Sequence, residues 1–123
     1  MRKFLSALLL LALPSCTMGP TNPAYLVFFT EHSATLDATS AGTIAQAAAT
    51  AKASPGSAVV VLGYTDSAGN ASADVTLSQL RARGVADALK ADGVEPARIS
   101  IEGRGQTHED PGQASRRVEI EMR

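Results

Sequence analysis

The run from Ala58 to Tyr64, "AVVVLGY", is apolar at almost every position and rich in β-branched residues. Strict alternation marks a strand with one wet face. Continuity marks a strand inside a sheet, covered by helices on at least one face. "SPG", Ser54 to Gly56, stops whatever precedes it. A chain built around such a strand must supply helices to cover it and further strands to flank it.

Both are legible nearby. Ala38 to Ala53 is rich in alanine, the best helix former, with Ile44, Ala47, Ala48 and Ala51 on one face. Asp37 or Thr39 can cap its start. Beyond the central strand, "TDSAGNASA" reads as a loop. Leu77, Leu80, Gly84, Val85, Ala88 and Leu89 then recur at helical spacing, and Asp92-Gly93 ends that helix. Leu80 and Val85 are expected to be buried against the sheet. "AYLVFF", Ala24 to Phe29, is apolar on both faces and reads as a buried strand. "RISIEGRG", Arg98 to Gly105, begins a third strand, with alternation at Ile99 and Ile101. "RRVEIEMR", Arg116 to Arg123, alternates through Val118, Ile120 and Met122, as an edge or one-sided strand does. The order β-α-β-α-β-β, with no internal repeat, predicts an α/β two-layer sandwich. Its small mixed sheet carries both helices on one face. The two crossovers predict parallel neighbours, and the last two strands are free to pair antiparallel.

The N-terminus reads differently. Residues 1–15 carry a basic start, Met1-Arg2-Lys3, and an apolar run from Phe4 to Leu13. That run has about ten residues where a membrane span needs about twenty, so it predicts a removed signal peptide. "LPSC" closes it at Cys16, the one cysteine of the chain, which excludes an internal disulfide. Leu13, Ser15 and Cys16 resemble the lipobox of bacterial lipoproteins. The resemblance implies acylation of Cys16, and Thr17 after it implies delivery to the outer membrane. "TMGPTNPA" then forms a short tether, so residues 16–24 are the lipidated start and residues 25–123 the domain. Loss of Arg2 and Lys3 leaves nine basic residues against twelve acidic ones, a net charge of −3. Such a chain lacks the basic patch of a nucleic-acid binder and the charge to adhere to anionic lipid. Membrane attachment must come from the acyl chains.

Two charges stand where a core would prefer none. Asp66 closes the central strand, and Arg81 interrupts the apolar stripe of the second helix. With Ser78 capping the main helical run, Arg81 falls in the first turn, where the helix dipole opposes a cation. A residue kept at such a cost has a partner, and Asp66 is the obvious candidate. Strand C-terminal edges in open α/β sheets are where ligands bind. Gly69 in the adjoining loop would let one approach the backbone. An aspartate beside a guanidinium and a helix N-terminus can receive a zwitterion such as an amino acid headgroup. The same two residues can instead pair with each other and hold the loop. Physical chemistry alone leaves both open.

The stretch "GYTDSAGNASADVTLSQLRARGVADAL" resembles the central motif of the OmpA-like C-terminal domain. Gly63, Thr65, Asp66, Gly69, Leu77, Ser78, Arg81, Val85 and Leu89 are on register. "SRRVEIEM", Ser115 to Met122, is similar to that family's closing strand, and "VFFTEHSATL", Val27 to Leu36, to its opening strand and turn. The resemblance implies noncovalent binding of peptidoglycan through diaminopimelate of the stem peptide, linking outer membrane to cell wall. It implies that Asp66 takes the ammonium, that Arg81 takes the carboxylate, and that Arg116 and Thr65 line the same pocket. This sequence departs from the pattern at Ala73, at Asp74 (asparagine in the family), at Ser115 and at His32. Asp74 either adds negative charge that weakens carboxylate binding or caps the helix. The family also implies a second role, as a protein-interaction subunit of a periplasmic envelope complex. Enzymatic chemistry finds little support. "HED", His108 to Asp110, lacks metal-ligand spacing, and no cofactor motif is present.

Overall fold

The structure is a computed structural model that describes residues 24–66, 70–109 and 112–123. The signal segment, Cys16, the tether up to Pro23, Gly69 and Asp110 lie outside the described residues. Strand β1 (Tyr25–Phe28) leads to helix α1 (Ala38–Ala53), β2 (Val59–Thr65), α2 (Ala71–Ala91), β3 (Ile99–Gln106) and β4 (Arg117–Met122). Single 3-10 turns at Pro96–Arg98 and Gln113–Ser115 precede β3 and β4. The two-layer α/β arrangement is the one expected.

Helix α1 keeps its sequence-predicted limits because its signals are local. Asp37 caps it, accepting from the Ser40 N–H at 2.8 Å, and Ile44, Ala47, Ala48 and Ala51 are buried. Arg98 closes the other end, donating from Nη2 to the Ala51 and Ser54 carbonyls, each at 2.8 Å. These carbonyls are among those a helix end leaves without partners.

The sheet order is β1-β4-β2-β3. Strands β2 and β3 are parallel, and β4 runs antiparallel to both β2 and β1. Three expectations need correction. The first crossover does not make neighbours of β1 and β2, which β4 separates; only the second yields a parallel pair. Strand β4 is not at an edge and does not pair with β3; it lies between β1 and β2. Its alternation records one covered face, with Val118, Ile120 and Met122 under the helices, and says nothing about neighbours. Conversely, β1 is an edge strand. Val27 and Phe29 enter the core, while Leu26 and Phe28 lie on the open face at 41% and 39% exposure.

Helix α2 differs most from expectation. It begins at Ala71, not near Ser78, because Asn70 caps it by accepting from the Ser72 and Ala73 N–H groups at 2.9 and 3.3 Å. Neither Ser78 nor Asp74 is the cap. Arg81 therefore sits in mid-helix, where the dipole penalty does not apply. The buried face comprises Ser78, Arg81, Ala82, Val85, Ala86 and Leu89. Val85 is in the core as expected, but Leu80 is 50% exposed. At about 100° per residue, Leu80 points away from both Ser78 and Ala82. The face is set by contact distance. Gly63 of β2 and Gly103 of β3 are register partners. A Cβ on Gly63 would overlap the Ser78 carbonyl, and one on Gly103 would overlap the Gln79 side chain. The helix lies so close to these strands that small Ser78 and Ala82, rather than leucine, must face them.

Candidate functional site

The C-terminal ends of β2 and β3, the start of α2, the turn after β1 and the lead into β4 meet at one end of the sheet. Arg81 reaches into this junction from α2. It is 1% exposed, the largest fully buried side chain among the described residues. Its Nε donates to the Ser33 carbonyl at 2.7 Å, Nη1 to Tyr64 at 3.1 Å and Nη2 to Thr30 at 3.1 Å. Its guanidinium carbon stands 5.1 Å from the centre of the Phe29 ring, within cation–π range. Burial, and then the charge of Arg116, push its pKa down, opposed by Asp66 and Asp74. The cation is held chiefly by neutral carbonyls.

The expected Asp66–Arg81 pair is replaced by another. Asp66 Oδ2 accepts from Arg116 Nη1 at 3.0 Å, and Arg116 Nε donates to the Phe29 carbonyl at 3.1 Å. Both side chains keep a fraction of their surface in solvent, 19% for Arg116 and 16% for Asp66. Topology explains the exchange: inserting β4 between β1 and β2 brings its first residues beside the end of β2. The more accessible pair thus stands close enough to buried Arg81 for both charges to act on it.

Thr65 precedes Asp66 on the helix-facing side of β2. It is 1% exposed, and its Oγ1 has no hydrogen-bond partner among the described residues. A buried hydroxyl without a partner is costly, and such groups mark places where a ligand or water completes the bonding.

Asp74 is brought to the same strand ends by Gln106, whose Nε2 donates to Oδ2 at 2.8 Å. Gln106 carries no mark in the sequence. A bulge places it: the β2–β3 register steps from Gly63↔Gly103 to Thr65↔Gln106, one extra residue on β3. Gly105 in the bulge takes φ 66°, and its N–H donates to the buried Ser78 Oγ at 2.9 Å. Bulges of this kind re-aim side chains beside functional sites. A periodicity break at "GRG" was the available signal.

Ser115 is buried, and its Oγ accepts from Thr107 Oγ1 at 2.9 Å. His32 takes φ 56° in the turn that Arg81 holds, with its side chain in solvent. Histidine, like asparagine and aspartate, adopts that conformation more readily than most residues. Glu109 of the "HED" stretch pairs with Arg117 at 3.2 Å. Among the described residues no three His, Cys, Asp or Glu side chains are grouped to hold a metal. A cavity of about 210 Å³ lies apart from these charges, between the outer edge of β1 and the start of α1, lined by Leu26, Phe28, Thr39 and Thr43 among others. Its one carboxylate, Asp37, is occupied by the helix cap.

Known proteins resemble this chain in sequence and in fold. The chain is 41% identical over 104 residues to the probable lipoprotein YiaD of Escherichia coli K12, covering 78% of this chain and 47% of that protein. It is 35% identical over 82 residues to outer membrane protein A of Shimwellia blattae, covering 54% and 34%. The chain thus spans less than half the length of either relative. In fold it is similar to the peptidoglycan-associated lipoprotein of Burkholderia pseudomallei, with TM-score 0.73 and 24% identity over 80% of this chain and 90% of that one. It is equally similar, at TM-score 0.73 and 26% identity, to the OmpA-like domain of FopA1 from Francisella tularensis, covering 80% and 72%. Residues 28–121 match the OmpA family along nearly the whole described domain, and the chain belongs to that family.

Proposed function

We propose that this domain binds peptidoglycan noncovalently through the diaminopimelate of the stem peptide, and that acylated Cys16 ties it to the outer membrane. The observation that carries the reading is the group of charges at the strand ends. A partly exposed pair of opposite charges, Asp66 and Arg116, acts electrostatically on buried Arg81, and adjoining Thr65 carries a buried hydroxyl with no partner among the described residues. A zwitterion carries the complement of both charges. In this reading the Asp66–Arg116 pair parts on binding. Asp66 then accepts from the ligand ammonium, and Arg116 and Arg81 donate to its carboxylate. Three carbonyls take three of the five N–H groups of Arg81, so one on each terminal nitrogen remains for the ligand. Thr65 gains its missing partner, and Asp74 borders the same site. The relatedness to a peptidoglycan-associated lipoprotein supports the wall as ligand, and that to YiaD supports the lipid anchor.

The test compares walls. Lysine in place of diaminopimelate keeps the ammonium and lacks the carboxylate. A lost charge-assisted contact is worth roughly 1.5–3 kcal/mol, part of which the nearby Asp74 charge offsets, leaving about one decade of affinity. Sacculi with diaminopimelate should retain the protein at correspondingly lower concentrations than lysine-type sacculi. Equal retention by both rejects the clasp. Asp66→Asn, which preserves shape and removes the charge, should lose most binding while remaining folded by circular dichroism.

A further inference from the structure

Asp74 stands in the first turn of α2 and is fixed by Gln106 at 2.8 Å. Because Gln106 lies opposite Thr65 in the ladder, this second carboxylate is held at the same strand ends as Asp66 and the unpartnered Thr65 hydroxyl. Among the described residues, Asp66, Asp74 and Arg116 are the charges that act on Arg81. The four side chains sum to zero formal charge. Without Asp74 they would sum to plus one, and a ligand carboxylate would meet a net positive field.

We propose that Asp74 is a specificity-determining residue: by balancing the charge of the site, it admits diaminopimelate whose side-chain carboxyl is amidated about as well as the free acid. The proposal rests on the peptidoglycan reading above. An amide oxygen still accepts from a guanidinium, but the bond is weaker than one to a carboxylate. The free acid gains that stronger bond and meets repulsion from Asp74. The amide forgoes the one and escapes the other. Removing the Asp74 charge leaves the first effect alone, so the free acid should then win. Asp74→Asn keeps an oxygen for the Gln106 N–H and so preserves the local geometry.

The experiment is calorimetric titration of the purified protein with two synthetic stem peptides, one with free and one with amidated diaminopimelate. The wild type should bind both within about threefold, and Asp74→Asn should prefer the free acid by about tenfold, the size of one charge-assisted interaction. That preference should shrink as salt is raised, as interactions between partly exposed charges do. A wild type that already prefers the free acid by about tenfold overturns the proposal. So does a variant whose preference stays within about twofold of the wild type. Both results leave peptidoglycan binding standing. If neither peptide binds wild type or variant, the peptidoglycan reading falls and this proposal with it.

Discussion

Replacing Arg81 by alanine should unfold the strand-end junction before it reports on any ligand. The guanidinium supplies hydrogen bonds of 2.7, 3.1 and 3.1 Å to carbonyls of Ser33, Tyr64 and Thr30, so it joins the turn after β1 to the end of β2. Each buried acceptor left without a donor costs about 1–3 kcal/mol. Two effects argue for the low end. Water can enter the space the side chain leaves, and the desolvation of a cation, visible in the depressed Arg81 pKa, is no longer required. Three acceptors at about 1 kcal/mol each give a loss of about 3 kcal/mol, or roughly 12–24 °C in Tm for a domain of this size. Arg81→Lys keeps the charge but has one nitrogen to reach three carbonyls, so it should recover less than half of the loss. Urea denaturation followed by circular dichroism measures both variants. A stability within about 0.5 kcal/mol of wild type for Arg81→Ala, the range of ordinary surface sites, would refute the clamp. Loss of wall binding in this variant is therefore interpretable only where the protein is shown to be folded.

Leu89→Ala should cost about 2–5 kcal/mol, because Leu89 is fully buried, whereas exposed Leu80→Ala should stay within about 0.5 kcal/mol. The reverse ranking in chemical denaturation would mean α2 packs by its leucine stripe after all. Asp37 accepts from the Ser40 N–H, which holds its carboxyl below the ordinary value of 3.8. A depressed folded-state pKa stabilises above the unfolded value and is lost as pH falls through the folded one. Wild type should therefore lose stability more steeply than Asp37→Asn below about pH 4, and parallel acid unfolding curves would count against the cap. Cys16→Ala should release the protein from membranes and abolish incorporation of a labelled fatty acid; an unlabelled wild type would sink the anchor.

Elements whose causes are local can be read from the residues alone. Asp37, the alanines and Ser54-Pro55 lie within the segment they shape, so α1 was legible to the residue. The continuous apolarity of β2 marks a central strand because a neighbour on each side and helices on one face bury nearly every position, with Val60 and Tyr64 half-buried. The identities of Asp66, Arg81 and Arg116 as misplaced or motif charges were also legible. Tertiary structure decided which of them meet. Alternation in β4 encodes a covered face, and the same pattern serves an edge strand or a central one, so its place beside β2 was invisible. Hydrophobicity points the face of α2 to Leu80, whereas the glycines that dictate its approach belong to β2 and β3. The partners of Arg81 lie 48, 17 and 51 residues away, and they are backbone carbonyls, which every residue carries and no side-chain pattern distinguishes. Only chain topology, by bringing the turn after β1 and the end of β2 to one buried cation, selects those oxygens from all the others.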